Sequence, residues 1–222
     1  MHRIPEPELM DDPAQAQAYA DADFSEANTL FLDTFKAHFE PADFEGHIID
    51  LGCGPADIAV RLARAYRHCR VHGVDGSAPM LRIAAERVLN ASLAERMALF
   101  QCTLPRIIVP RSHYDALVSN SLLHHLLDPY SLWDTIKTLA TPDAAILVMD
   151  LVRPPDHRAA ERLVGVYAAD APPVLARDFE RSLLAAYSVD EVVGQLAVAK
   201  LDYLDVRVVS DRHFTVSGRF RG

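Results

Sequence analysis

Alternation of short apolar segments with stretches at helical spacing constrains this chain more than any other feature. His47–Leu51, Arg70–Asp75, Ala98–Cys102, Asp115–Asn120 and Ala144–Leu151 read as strands. Asp57–Tyr66, Ala78–Leu89 and the stretch from the fourth strand through Ala140 read as helices. Strands separated in this way pair in parallel, each reached by a crossover, and helices cover both faces of the sheet. The end of the chain breaks the rhythm. Tyr203–Ser210 and His213–Phe220 are joined only by Asp211 and Arg212, and so short a link demands an antiparallel hairpin. The expected fold is therefore α/β: a doubly wound, Rossmann-like seven-stranded sheet, mostly parallel and finished by a C-terminal antiparallel hairpin.

A length of 222 residues suits one such core rather than two domains. Residues 1–44 are expected to form an N-terminal helical lid, 45–155 the ligand-binding core, 156–200 a helical cap and 201–222 the hairpin. Within the first part, an Asp-Asp-Pro start at 11–13 precedes one helical tract ending near residue 39, with Leu30, Phe31, Thr34, Phe35 and His38 on one face. In the cap, APP at 171–173 interrupts the helical pattern, and Ser188 with Glu191 forms a capping box that starts a new helix.

Charge disfavours one class of partner. Thirty-one acidic against 22 basic residues give a net charge of −9, whereas a protein that grips nucleic acid presents a basic face. Arg61, Arg64, Arg67 and Arg70 recur at helical spacing and read as a solvated surface. Cys53, Cys69 and Cys102 lie far apart without a CxxC pair, so neither zinc nor a disulfide framework is expected. No apolar run approaches the ~20 residues that cross a bilayer, and the first 24 residues are polar and acidic, unlike a secretory signal. Cytoplasmic residence is the expectation.

The chemistry gathers at HIIDLGCGPADIAVRL, residues 47–62. A strand, a glycine turn and a helix start bring bare backbone and a helix N-terminus up to a ligand. The dinucleotide fingerprint G-x-G-x-x-G places a third glycine where this chain has Asp57. A carboxylate there repels a pyrophosphate and suits a ligand with positive charge. Asp75, at the end of the second strand, is placed to accept both hydroxyls of a ribose. Gly76 then permits close approach, Ser77 opens the next helix, and Met80 lies one turn on, where its thioether can meet an adenine face. Cys102 and Thr103 end the third strand, beside the adenine edge.

The combination DLGCGPADIAVRLA, VHGVDGSAPML, YDALVSNSLLHHLLDP and AAILVMDLVRP resembles the class I S-adenosylmethionine-dependent methyltransferases of the small-molecule type, over about residues 45–155. The resemblance implies S-adenosylmethionine as cofactor and S-adenosylhomocysteine as product. Asp50, Gly52, Cys53 and Gly54 match the turn that holds the methionine part, Asp75 the ribose acid, and Asn120 with Ser121 the fourth-strand end beside the sulfonium. It departs at Cys102–Thr103, where many relatives carry an aspartate against the adenine amino group.

Transfer of a methyl group from a sulfonium is a direct displacement that needs alignment and exclusion of water more than a catalytic triad. His124 and His125 are the candidate bases; on a helix the two point about 100° apart, so one can face the cofactor. Arg153, Tyr167, Asp178 and Tyr187 are the candidate substrate contacts. Tyr19, with Asp23 and Phe24, belongs to the N-terminal lid over the cofactor, and the cap supplies a second roof. The expected partner is a small molecule, with acceptor atom and oligomeric state left open. Two rival readings remain at this level, a nicotinamide-dependent oxidoreductase and a catalytically silent adenosylmethionine-binding protein.

Overall fold

A computed structural model describes residues 1–6, 9–39 and 44–222. Asp12 caps the first helix, α1 (Pro13–Asp21), its carboxylate accepting the Gln15 amide at 2.8 Å. The single tract expected up to residue 39 is in fact two helices. Asp23 turns its carboxylate onto the Ser25 amide at 2.8 Å, Phe24 packs on Tyr19 at 4.7 Å between ring centroids, and α2 (Ser25–His38) starts afresh. An aspartate that bonds the backbone two residues on competes with the helix, and no glycine or proline is needed to break it.

Next come β1 (Gly46–Leu51), α3 (Asp57–Ala65), β2 (Cys69–Asp75), α4 (Ala78–Asn90), β3 (Met97–Gln101) and β4 (Tyr114–Asn120). A one-turn helix at Leu123–His125 leads into α5 (Tyr130–Leu139) and β5 (Ala140–Leu151). The cap comprises α6 (His157–Tyr167), α7 (Pro173–Ala185) and α8 (Val189–Ala199), followed by β6 (Asp205–Val208) and β7 (His213–Arg219). The break at APP and the Ser188–Glu191 capping box stand as expected. The hairpin link is longer than expected, residues 209–212, because the Ser210 hydroxyl accepts the Arg212 and His213 amides and turns the chain before Asp211. β5 likewise starts earlier, at Ala140, where it pairs with Tyr114 across a register shift.

The seven strands lie in the order β3-β2-β1-β4-β5-β7-β6, and only β7 runs against the others. The order turns back between β1 and β4, and ligands of such sheets collect outside the carboxyl ends at that reversal. Alternate residues of each strand feed opposite cores, as the two-residue period requires. Ile146 and Val148 join Ile49, Leu117, Trp133, Leu196 and Phe214 beneath α5 and α8. Leu147 and Met149 join Phe31, Phe35, Ile58, Leu62 and Val88 beneath α2, α3 and α4. Trp133 and Gln195, both buried, are joined by an indole N–H to Oε1 bond of 3.0 Å that locks α5 to α8. Losing it would orphan a buried donor at about 1–3 kcal/mol. The cap has a small core of its own, Leu151, Ala160, Leu183 and Ala186. Both faces are thus filled, and the carboxyl edge is where function has room.

Candidate functional site at the carboxyl edge

β1 ends in a turn that only glycine can make. Gly52 and Gly54 have left-handed φ of +75° and +51°. A Cβ on Gly52 would lie 2.8 Å from Leu122, whereas one on Gly54 would meet nothing within 4 Å, so Gly54 borders open space. The Gly52 and Cys53 amides both donate to the Val74 carbonyl, at 2.8 and 2.9 Å, tying the turn to β2. Asp75 completes the tie: Oδ2 accepts the Gly54 amide and Oδ1 the Ser77 amide, each at 2.8 Å. Burial raises this carboxyl above the usual carboxylate range, and the Ser77 and Gly54 amides work against the shift.

Asp50 sits one strand inward, wholly buried, and its Oδ2 has no hydrogen-bond partner among the described residues. Burial, with the charge of Asp75 adding, pushes its pKa up to about 7. Asp50 pairs in register with Val118, so Asn120 lies two residues further along the adjacent strand, at the same edge. The Asn120 Oδ1 is likewise buried without a partner. Ser121 next to it is held at a left-handed φ of 55° by its amide bond to the Met149 carbonyl, 2.9 Å. Two unpartnered acceptors beside a glycine turn call for a ligand rich in donors. Tyr19 reaches this corner from α1: burial, then the charges of Asp57, Asp75 and Asp150, push its hydroxyl up to about 12.

Asp57 plays another part than its position in the sequence implied. Its carboxylate is taken by Arg87 of α4, which also donates to the Ala20 carbonyl, so the pair clamps α3, α4 and α1 together. The hydroxyl of Ser77 is equally committed, accepting the Met80 amide at 3.1 Å as the cap of α4 and donating to the Met10 carbonyl at 2.9 Å. Met80 and Cys53 are buried, Cys53 against Gly73 of β2. Gly76 is roofed by Thr103 and Leu9, each 2.9 Å from where a Cβ would stand. Cys102 holds the start of the following loop, its Sγ accepting the Ile108 amide at 3.4 Å.

The two histidines divide sharply. His124 Nδ1 lies 2.6 Å from Asp150 Oδ1 at the end of β5, and both side chains are buried. Asp150 also accepts the Leu123 and Leu151 amides, at 2.6 and 2.7 Å. Burial opposes the charge of Asp150, yet His124 and these amides hold its pKa below the ordinary value. An ionised Asp150 assigns the Nδ1 proton to His124 and leaves the ring's lone pair on Nε2. His125, with its ring centroid 4.0 Å from that of His124, lies against the Glu6 carbonyl at 3.3 Å. Burial, then His124, pulls its pKa down to about 3.

The candidate substrate contacts are not brought together. Arg153 is bound to Glu191 of the capping box at 2.9 Å, so it offers no free cation. Asp178 accepts from Gln15 at 2.9 Å and fastens α1 to α7. Tyr167 donates to Asp211 at 2.7 Å and lies under the guanidinium of Arg212 at the hairpin turn. Tyr187 is the exception: its hydroxyl reaches the Leu126 carbonyl at 3.1 Å, beside the histidines. Arg3, Leu9 and Met10, which the sequence did not single out, also reach this edge.

Buried neutral histidines make the fold acid-sensitive. Burial, then Arg212, holds His213 down to about 4, as burial holds His125 down to about 3. Both pKa values lie below the unfolded histidine value, so their contribution is complete above about pH 6.5 and is lost as pH falls toward those values. Asp50 has the opposite sign, since its raised pKa favours the protonated fold. Asp75, likewise raised, joins Asp50, while His47 and His72, likewise held down by burial, join the other two histidines, so the histidines outnumber the aspartates and stability falls between about pH 6 and 4. Urea midpoints at pH 7 and 5 are expected to show this fall, and a flat profile would disprove the assignment.

Comparison with known proteins agrees with this geometry. Residues 48–143 match the methyltransferase domain family. An uncharacterized methyltransferase of Mycobacterium bovis is 34% identical over 107 residues, 48% of this chain and 51% of its own length. The trans-aconitate 2-methyltransferase of an Azoarcus species is 29% identical over 132 residues, 58% of this chain and 49% of its own. The matched region thus spans about half the length of these curated relatives. Among solved structures, a SAM-dependent methyltransferase from Aquifex aeolicus superposes with a TM-score of 0.67 at 20% identity, covering 94% of this chain and 98% of that one. The plantazolicin methyltransferase BpumL, in complex with SAH, gives 0.71 at 12% identity over 95% and 93%. The glycine turn, the second-strand acid, the strand order and these likenesses converge: residues 48–143 match a methyltransferase domain, within a fold shared with SAM-dependent methyltransferases.

Proposed function

We propose that the protein transfers a methyl group from S-adenosylmethionine to a small-molecule acceptor whose attacking atom carries a proton. The carrying observation is the pair of buried, unpartnered oxygens, Asp50 Oδ2 and Asn120 Oδ1, beside the open Gly54. They fit a ligand that presents an ammonium group, and they do not fit a pyrophosphate, which offers acceptors only. This disfavours the nicotinamide reading. In the favoured one, Asp75 accepts the ribose hydroxyls with lone pairs not used by Gly54 and Ser77, while Gly52 and Gly54 let the backbone approach the methionine part. Met80, Cys102 and Thr103 line the adenine side, and Asn120 with Ser121 borders the reacting end.

When bound, S-adenosylmethionine supplies an electrophilic methyl group on a sulfonium. The remaining work belongs to the chain. His124 Nε2 accepts the acceptor's proton, and Asp150 keeps the imidazole in the receptive tautomer and stabilises the imidazolium that results. His125, kept neutral and turned to Glu6, packs against its neighbour. Tyr19 and the N-terminal segment act as the lid and keep water away.

Calorimetric titration with S-adenosylmethionine, S-adenosylhomocysteine and NADH tests this reading. Saturable binding of both adenosyl compounds and none of NADH is expected; binding of NADH alone would overturn it. A metabolite extract with methyl-labelled cofactor should then yield a labelled product, and its absence would leave a binding protein.

A further inference from the structure

The turn between β6 and β7 carries a buried cation with most of its donors idle. Arg212 is 7% exposed, yet its guanidinium makes a single hydrogen bond among the described residues, from Nη1 to Asp211 at 3.0 Å. Nη2 stands 3.8 Å from Glu26, beyond hydrogen-bond length, and that glutamate side chain is 80% exposed. The guanidinium carbon lies 3.3 Å from the ring centroid of Tyr167, whose hydroxyl donates to Asp211. Stacking occupies the face of the guanidinium and leaves its in-plane fork, the part that grips a carboxylate bidentately. Buried donors are ordinarily paired, so an idle fork calls for an acceptor.

The neighbours of Arg212 extend the donor set. Ser210 Oγ accepts the amides of Arg212 and His213 at 3.3 and 3.0 Å, which fills its lone pairs, so its hydrogen goes to His213 Nδ1 at 2.9 Å. Burial, then Arg212, keeps that ring neutral, and its own proton is thereby assigned to Nε2, which has no partner among the described residues. Asn28, close to Glu26 on the buried face of α2, also makes no side-chain hydrogen bond among the described residues. These donors stand at the reacting edge. The Val152 amide donates to the Arg212 carbonyl at 2.8 Å and His213 pairs with Leu151, so the turn abuts the residues that follow Asp150, the partner of His124.

We propose that Arg212, with the Nε2–H of His213 as a second donor, holds a carboxylate of the methyl acceptor, a group distinct from the atom that receives the methyl. The acceptor is then a small organic acid; that it is an acceptor at all rests on the methyl-transfer reading. A carboxylate fits better than a phosphate. Asp211 and Glu26 already face Arg212, so the corner has room for one further negative charge, whereas a phosphate monoester brings nearly two. Glu26 is the group that gives way, since an exposed carboxylate held at 3.8 Å is screened by water and contributes little. Arg153 differs in this respect, because its 2.9 Å bond ties it to a glutamate fixed in a capping box.

The test has a binding arm and a turnover arm. Binding is read as the thermal midpoint of wild type, Glu26→Gln and Arg212→Gln in succinate and in chloride at equal ionic strength. Succinate should raise the wild-type midpoint by about 2 °C or more over chloride. It should raise that of Glu26→Gln further, because the competing carboxylate is gone, and leave Arg212→Gln unmoved. Equal responses in wild type and Arg212→Gln overturn the subsite. Should Arg212→Gln not fold, a response of Glu26→Gln no larger than that of wild type does the same. Turnover is read with methyl-labelled cofactor and a metabolite extract split on an anion exchanger. The retained fraction should yield the labelled product. Arg212→Lys should raise the KM for that acceptor about tenfold or more, the loss of a charged hydrogen bond, while its affinity for S-adenosylhomocysteine stays that of wild type. Product from the unretained fraction alone overturns the acidic acceptor and leaves methyl transfer standing. If S-adenosylhomocysteine does not bind wild type, the methyl-transfer reading fails separately, and the succinate responses alone decide the carboxylate subsite.

Discussion

Asp75→Ala is expected to weaken S-adenosylhomocysteine binding at least about hundredfold, since under the proposed binding mode it removes two charge-assisted hydrogen bonds to the ribose. It also strips the Gly54 and Ser77 amides of their shared acceptor, so the turn and the start of α4 lose their common anchor. Asp75→Asn separates the two effects. It preserves the shape but turns an NH2 group toward one of those amides, and an intermediate affinity should result. Calorimetry on the three proteins decides: an alanine variant that binds like wild type would remove Asp75 from the site. Far-UV circular dichroism on the same samples confirms that β2 and α4 remain folded.

The second large effect is expected at the histidine corner. His124→Gln should lower methyl transfer about hundredfold or more, the usual contribution of a positioned base. Its affinity for S-adenosylhomocysteine should stay near that of wild type. Asp150→Asn should approach the same loss by another route, because an amide cannot hold the imidazole in the receptive tautomer. Rates of transfer into the labelled extract product are the readout. An unchanged rate in that variant would mean that the acceptor reacts without a base, and His124 would be reduced to packing.

Patterns confined to neighbouring residues were legible from the chain alone. Strand and helix order, the hairpin, the capping box at Ser188–Glu191 and the glycine turn each occupy a few consecutive residues, and local sterics and hydrogen bonding determine them. The end of β2 at Asp75 was legible because a strand end followed by glycine is itself a local signature. What escaped were pairs made by the sheet. His124 and Asp150 are 26 positions apart and meet because β4 and β5 are neighbours. Asp57 looked like a ligand contact because its partner, Arg87, lies 30 residues on, across the interface between α3 and α4. Arg153 and Asp178 are likewise charges whose partners, Glu191 and Gln15, are brought to them by tertiary packing and cannot be read locally. Arg3 carried no signal at all, since an irregular segment has no period to betray where it docks.

Asp50 has one more consequence. With its pKa near 7, the carboxyl holds a proton in a large share of molecules at neutral pH, and no donor among the described residues competes for its Oδ2. A cation seated there expels that proton, so the protein trades one positive charge for another and the site's net charge hardly changes. Acidity and ligand thus contend for the same atom. Under the proposed binding mode, the innermost carboxylate of the turn works as a small ion exchanger, whose hold on a cationic guest tightens as the surroundings become more alkaline.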